Sequence, residues 1–202
     1  MGCAASAPES TTQQTEHPMR RFLFLTASTR EPGHVGNTET LARIAAEALP
    51  ADTPQQWITL AQCQLPAFVD LRHTAGSYPP PEGDAATLLN ATLAATDIVF
   101  VSPVYWFSVP SPLKAYLDQW SAWMRVPGVD FKTHMGQKRL WVIATSGDRA
   151  KAQPMFDSYK LCADFLGMQW MGALWGKGGA PDAVLADTAA LAAAQTFLTA
   201  PV

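Results

Sequence analysis

The sequence predicts a single three-layer α/β domain, with a five-stranded parallel sheet in strand order 2-1-3-4-5 and helices on both faces. Three observations carry that expectation. Short apolar runs without strict alternation mark strands buried on both faces. Amphipathic stretches at helical spacing separate them, and this strand–helix alternation builds parallel βαβ units. The region beyond residue 18, about 180 residues long, accommodates five such units.

Residues 1–18 are small, polar and aperiodic and read as a disordered tail, leaving 19–202 as the folded domain. Met1-Gly2 with Ser6 fits the M-G-x-x-x-[ST] acylation template, with Cys3 as a second acyl acceptor. The plainer alternative takes Met19 as the start, because Met19-Arg20-Arg21 runs directly into the first strand, Phe22 to Leu25.

Residues 37–49 place Leu41, Ile44, Ala45, Ala48 and Leu49 on one helical face before Pro50. Gln56 to Leu60 is a second, weaker strand. Residues 61–82, with Pro66, Pro79, Pro80 and Pro81, form a long loop. Asp84 is the expected N-cap of a helix to about Thr96 with Leu88, Leu89 and Leu93 inward. Ile98 to Val101 is the third strand. Pro110 or Pro112 opens a helix whose Leu113, Tyr116, Leu117, Trp120 and Met124 share a face. Leu140 to Ala144 is the fourth strand. A helix over 152–167 turns Phe156, Tyr159, Cys162, Ala163 and Leu166 inward and ends at Gly167. Residues 168–175 form the fifth strand, and an Ala-rich helix over 182–199 closes the domain with Val184, Leu191 and Leu198 in phase.

Composition narrows function. The chain is 48% hydrophobic and 15% charged, the reverse of a disordered signature. Its net charge of -3 gives no footprint for nucleic acid and little attraction to an anionic membrane. No apolar run approaches the ~20 residues of a membrane span. Cys3, Cys63 and Cys162 are odd in number and widely spaced, which points to a reducing cytoplasm rather than a disulfide framework. The four histidines make no metal-binding spacing, so no metal is expected.

In a doubly wound sheet, ligands lie beyond the carboxyl ends of the strands where the order reverses. That directs attention to the loops after strands 1, 3 and 4. The first holds Ser28-Thr29-Arg30 and then Gly36-Asn37-Thr38 opening a helix. Hydroxyls, a glycine and an amide before a helix N-terminus suit a phosphate; the alternative is that Asn37 or Thr38 is only a cap. Neither a G-x-x-x-x-G-K-[ST] nor a G-x-G-x-x-G fingerprint is present, so a monophosphate held without metal is the economical reading. The second loop, Ser102 to Pro110, crowds Tyr105, Trp106 and Phe107 between prolines, which suits covering a flat ring or plugging the core or an interface. The third, Thr145-Ser146-Gly147-Asp148, offers N–H groups and hydroxyls but is also ordinary turn chemistry.

Together these loops resemble a known family. Asp97 to Pro110, continuing through Pro112-Leu113-Lys114 to Asp118, resembles the signature of the NAD(P)H-dependent FMN reductase and quinone reductase branch of the flavodoxin-like superfamily. Ser28-Thr29-Arg30 with Gly36-Asn37-Thr38 resembles its phosphate loop, lengthened here by Glu31 to Val35. The resemblance spans roughly residues 20–199 and implies a flavodoxin-like fold binding FMN. Ser28, Arg30, Gly36, Asn37 and Thr38 would hold the phosphate. Pro103, Val104, Tyr105, Trp106 and Phe107 would pack on the isoalloxazine and bond its pyrimidine edge through backbone. Ser146, Gly147 and Asp148 would bound the ring's other side. It also implies a homodimer, for which the helix over 112–125, with Trp120 and Trp123 a turn apart, is either the interface or ordinary core.

The expected function is hydride transfer from NADPH or NADH to bound FMN and onward to a small acceptor such as a quinone, an azo or nitro compound, or free flavin. No side-chain acid or base is required. The alternative is a flavodoxin-type electron carrier without NAD(P)H activity. From Met19 onward the chain carries 14 basic and 15 acidic residues, whereas a shuttle docking by charge needs a strongly acidic surface. A hydrolase is disfavoured, because there is no G-x-S-x-G elbow and no cysteine in a phosphate loop.

Overall fold

The apolar strand runs divide between two faces because successive side chains in a strand point in opposite directions. In the computed structural model, which describes residues 19–31 and 33–200, Phe22, Phe24, Val99, Val101, Trp141 and Ile143 build one core, and Leu23, Leu25, Ile98, Phe100, Leu140 and Val142 build the other. The strands are β1 (Phe22–Thr26), β2 (Gln55–Thr59), β3 (Asp97–Val101), β4 (Arg139–Ser146) and β5 (Gln169–Lys177). All pair in parallel, in the order β2-β1-β3-β4-β5. The expected topology is therefore present. The tail and acylation readings fall on residues outside those described.

The helices are α1 (Asn37–Glu47), α2 (Gly83–Ala94), α3 (Ser111–Trp123), α4 (Phe131–Met135), α5 (Gln153–Leu166) and α6 (Thr188–Phe197). Residues of α1 and α6 cover the first face, and residues of α2 to α5 cover the second. Edge strand β2 is the least buried. Its Trp57 stacks on Phe24 with ring centroids 4.1 Å apart, under the Arg43 guanidinium at 4.6 Å.

Three expectations are corrected. Among the described residues the sheet carries six α-helices rather than five, because α4 spans only five residues, too few to show a periodicity. The last helix is broken: Ala183–Ala186 form a 3-10 turn, and the Asp187 side chain then caps α6 by accepting from the Ala190 N–H at 3.0 Å. Asp84 is not an N-cap. It lies inside the first turn of α2, and its carboxylate accepts from the Gln64 N–H at 2.6 Å, tying the long loop to the helix. Of the two readings left open for the helix over 112–125, Trp120 and Trp123 take the core one: both are buried, in ring contact with Tyr116 and Phe131.

The amino end of the sheet is closed by paired charges. Asp97 is fully buried. Its carboxylate accepts from Arg20 at 2.7 Å, Arg139 at 2.8 Å, the Trp141 indole at 2.9 Å and the Thr96 hydroxyl at 2.7 Å. Burial opposes its charge, but these bonds outweigh burial and hold its pKa below the ordinary value. Arg20 also donates to the Leu198 carbonyl just beyond α6. Lys138, buried just before β4, donates to the Leu93 and Ala95 carbonyls at the end of α2, where a cation suits the helix dipole.

Candidate functional site

At the opposite, carboxyl end of the sheet the loops leave a cavity of about 260 Å³. Ser28, Arg30, Gly36, Asn37 and Thr38 line it from the β1–α1 side, Pro103, Val104 and Tyr105 from the β3–α3 side, and Ser146 and Gly147 from the β4 end. All these sequence-selected residues converge there. Trp106, Phe107 and Asp148 are not in its lining. Thr145, Glu39, Gly178 and Gly179 join it. The two glycines follow β5, and a glycine pair immediately after a strand at this end of a doubly wound sheet was the signal available for them.

Helix α1 opens without a side-chain cap, so the first-turn N–H groups of Asn37, Thr38 and Glu39, residues that line the cavity, are not satisfied by any cap. Its N-cap position is Gly36, and a Cβ there would stand 3.0 Å from Arg30 Nε. Glycine thus lets the Arg30 side chain lie against the helix entrance. Arg30 is exposed and, among the described residues, makes no ion pair. A free guanidinium beside open helix N–H groups is a site for an oxyanion. Glu39, also at the rim, is occupied by Arg43 at 2.6 Å. The lengthened loop walls a second cavity of about 520 Å³, lined by Thr29, Glu31, His34, Thr59 and Gln62, and Arg30 borders both.

Several polar groups in the cavity wall are already committed. The Thr38 and Thr145 hydroxyls, both buried, share a hydrogen bond of 2.5 Å. The Ser146 hydroxyl accepts from the Trp175 indole and donates to the Asp148 carbonyl, each at 2.8 Å, so this loop meets a ligand through its backbone. The Asp148 carboxylate accepts from the Ala150 N–H and shapes its own turn. The Asn37 amide donates to the Ala180 carbonyl and accepts from the Val184 N–H.

The β3–α3 loop ends in a tight turn. Ser108 N–H donates to the Tyr105 carbonyl at 3.0 Å, and both central residues have positive φ, Trp106 at 49° and Phe107 at 62°. Such turns ordinarily use Asn-Gly. Two large aromatics in this conformation store strain of order 1–3 kcal/mol each. Trp106 is 92% exposed, far from the burial that its size rewards.

The chain is similar to known proteins along nearly its whole length. Residues 20–198 match the profile of a family described as having a flavodoxin-like fold. A Bacillus subtilis (strain 168) protein named provisionally as an NAD(P)H-dependent FMN-containing oxidoreductase, YwqN, is 33% identical over 166 residues, covering 81% of this chain and 90% of that protein. The solved Trp repressor binding protein of Bacillus subtilis superposes with a TM-score of 0.68 at 27% identity, covering 90% of this chain and all of that one. An NAD(P)H:quinone oxidoreductase from Methanothermobacter marburgensis shares the fold, with a TM-score of 0.66 at 17% identity over 89% of this chain and 94% of that one. By its strand order, its carboxyl-end cavity and this match over 20–198, the chain belongs to the flavodoxin-like fold family.

Proposed function

We propose that this chain is an FMN-dependent NAD(P)H oxidoreductase that passes hydride from NADPH or NADH through FMN to a small acceptor, a quinone, an azo or nitro compound, or free flavin. The observation that carries this is the meeting of an uncapped helix N-terminus and an unpaired Arg30 with the β3 and β4 loops in one cavity. The fit to FMN rests on that cradle: a guanidinium, a hydroxyl and first-turn N–H groups suit a phosphate dianion, and an aromatic loop beside it suits a planar ring. The relative named as an FMN-containing oxidoreductase supports the same reading.

Ser28, Arg30 and the backbone of Gly36, Asn37 and Thr38 would hold the phosphate. Pro103, Val104 and Tyr105 would face the ring, with Trp106 and Phe107 on the exposed turn covering it or the nicotinamide. The backbone of Ser146, Gly147 and Asp148 would bound its polar edge and place N–H dipoles where negative charge gathers on reduction. When bound, FMN supplies the hydride acceptance and donation that no side chain here provides. Tyr159, behind the β3 loop, bonds Ser102 at 2.7 Å, and its burial raises its pKa, so it braces the loop as a neutral phenol rather than moving a proton.

The chain is further proposed to act as a homodimer in the cytoplasm, as one domain over 19–202, without nucleic acid or membrane partners. Exposed Trp106, Phe107, Leu161 and Phe165 support self-association. Near-neutral charge supports the exclusions, and among the described residues no helix is long and apolar enough to cross a membrane.

The test is spectroscopic. FMN-loaded protein mixed anaerobically with NADH or NADPH should lose its yellow flavin band within seconds to minutes and regain it when a quinone is added. A band that survives both nucleotides contradicts the enzyme reading and leaves an electron carrier.

A further inference from the structure

Three of the four segments that line the cradle, the start of α1, the end of β4 and the β5–α6 loop, brace one another in a closed ring. Helix α1 is tied to β4 by the Thr38–Thr145 hydroxyl pair at 2.5 Å. The end of β4 is tied to the β5–α6 loop by the Gly178 N–H, which donates to the Ser146 carbonyl at 2.8 Å. The approach there is close enough that a Cβ on Gly178 would stand 3.1 Å from the Thr145 side chain. The third side is Asn37. Its Nδ2 donates to the Ala180 carbonyl at 2.9 Å, and its Oδ1 accepts from the buried Val184 N–H at 3.2 Å. Both ends of the carboxamide are engaged with the β5–α6 loop, which fixes its plane, and the residue is only 6% exposed.

We propose that Asn37 is a positioning residue rather than a phosphate ligand: its side chain clips the β5–α6 loop so that Gly178 and Gly179 wall the cradle. This rests on the flavin-binding reading above but reassigns one residue within it. The chemical reason is exclusivity. Turning Nδ2 toward an anion would strand the Ala180 carbonyl, and turning the amide as a whole would also strand the buried Val184 N–H, which no water could then satisfy at no cost. The backbone N–H of Asn37 stays free for the anion while its side chain holds the wall. Gly179, at φ 135°, is in a conformation that side-chain-bearing residues rarely adopt, so the loop depends on an external brace as well as on its glycines.

FMN and riboflavin separate the two roles because riboflavin lacks the phosphate. Apo-protein is titrated with each, following quenching of flavin fluorescence, for wild type, Asn37→Ala and Arg30→Ala. A clip that shapes the whole cradle predicts that Asn37→Ala weakens both flavins by the same factor, within about twofold. Arg30→Ala weakens FMN about tenfold or more and spares riboflavin. Asn37→Asp keeps the bond to Val184 and loses that to Ala180, so its riboflavin affinity falls between wild type and Asn37→Ala. Loss of FMN affinity alone in Asn37→Ala, matching Arg30→Ala, overturns the proposal, and so does no change with either flavin.

Amide hydrogen exchange in the wild-type chain gives the same answer should Asn37→Ala fail to fold. A clip keeps the Val184 N–H at least as protected with FMN as with riboflavin, whereas faster exchange with FMN would mean that Asn37 has turned to the phosphate and would overturn the assignment. A wild-type chain that binds neither flavin overturns the flavin reading and this inference together. Selective loss in the variant overturns the inference alone.

Discussion

The two ends of the sheet use polar groups in opposite ways. At the amino end Asp97 gathers Arg20, Arg139, Trp141 and Thr96, and Lys138 closes the end of α2. At the carboxyl end α1 opens uncapped, Arg30 has no ion-pair partner among the described residues, and two aromatics sit in a strained turn. Polar groups satisfied within the chain hold it together, and polar groups left open are available to a ligand. Substitutions at the amino end should therefore change stability with little effect on binding, and loss of the open Arg30 at the carboxyl end the reverse.

The sharpest break in that contrast is Asp97→Ala, which leaves two guanidinium groups and an indole N–H without their acceptor. Breaking a buried pair in this way costs about 3–5 kcal/mol, and the melting temperature should fall by roughly 6–20 °C. Scanning calorimetry reads it, with FMN affinity of the remaining folded protein unchanged. The same residue gives a pH signature. Because the fold lowers the Asp97 pKa, its contribution is present above the ordinary carboxylate value of 3.8 and is lost as pH falls through the folded value. Denaturant midpoints should drop below about pH 4 in wild type and drop less in Asp97→Asn.

At the other end, Arg30→Ala should leave the melting temperature within about 2 °C and weaken FMN by about 1.5–3 kcal/mol, the worth of a hydrogen bond to a charged group. Replacing Trp106-Phe107 with Asn-Gly should remove strain and stabilise the chain by about 1–2 kcal/mol while lowering turnover of NADH or NADPH. Higher stability with full turnover would separate the strain from function. The smallest effect expected is from Thr145→Val, which leaves the Thr38 hydroxyl without its partner. It should cost about 1 kcal/mol in urea unfolding and weaken FMN a few-fold.

The strands were legible because a strand buried on both faces must be apolar throughout, as Phe22 to Leu25 and Ile98 to Val101 are. The helices followed where periodicity was long enough, and failed at α4, five residues long, and at Asp187, whose cap inside an Ala-rich run divides what composition joins. The site was legible loop by loop because the carboxyl-end rule names the loops before any contact is seen. What could not be read was how each polar side chain is spent. Asn37, Ser146 and Asp148 have the right chemistry for a ligand, yet their partners lie on β5, in the loop after it or within their own turn, and sequence spacing does not reveal such pairings. Trp120 and Trp123 show the same limit for apolar residues, since a helical stripe fits a core and an interface equally well.

The division between the two ends is tested most directly by measuring FMN dissociation constants for Arg30→Ala and Asp97→Ala side by side, at a temperature where both remain folded. The predicted result is a loss of about tenfold or more for Arg30→Ala and a change within about twofold for Asp97→Ala. Equal losses in both, or a larger loss in Asp97→Ala, would contradict it.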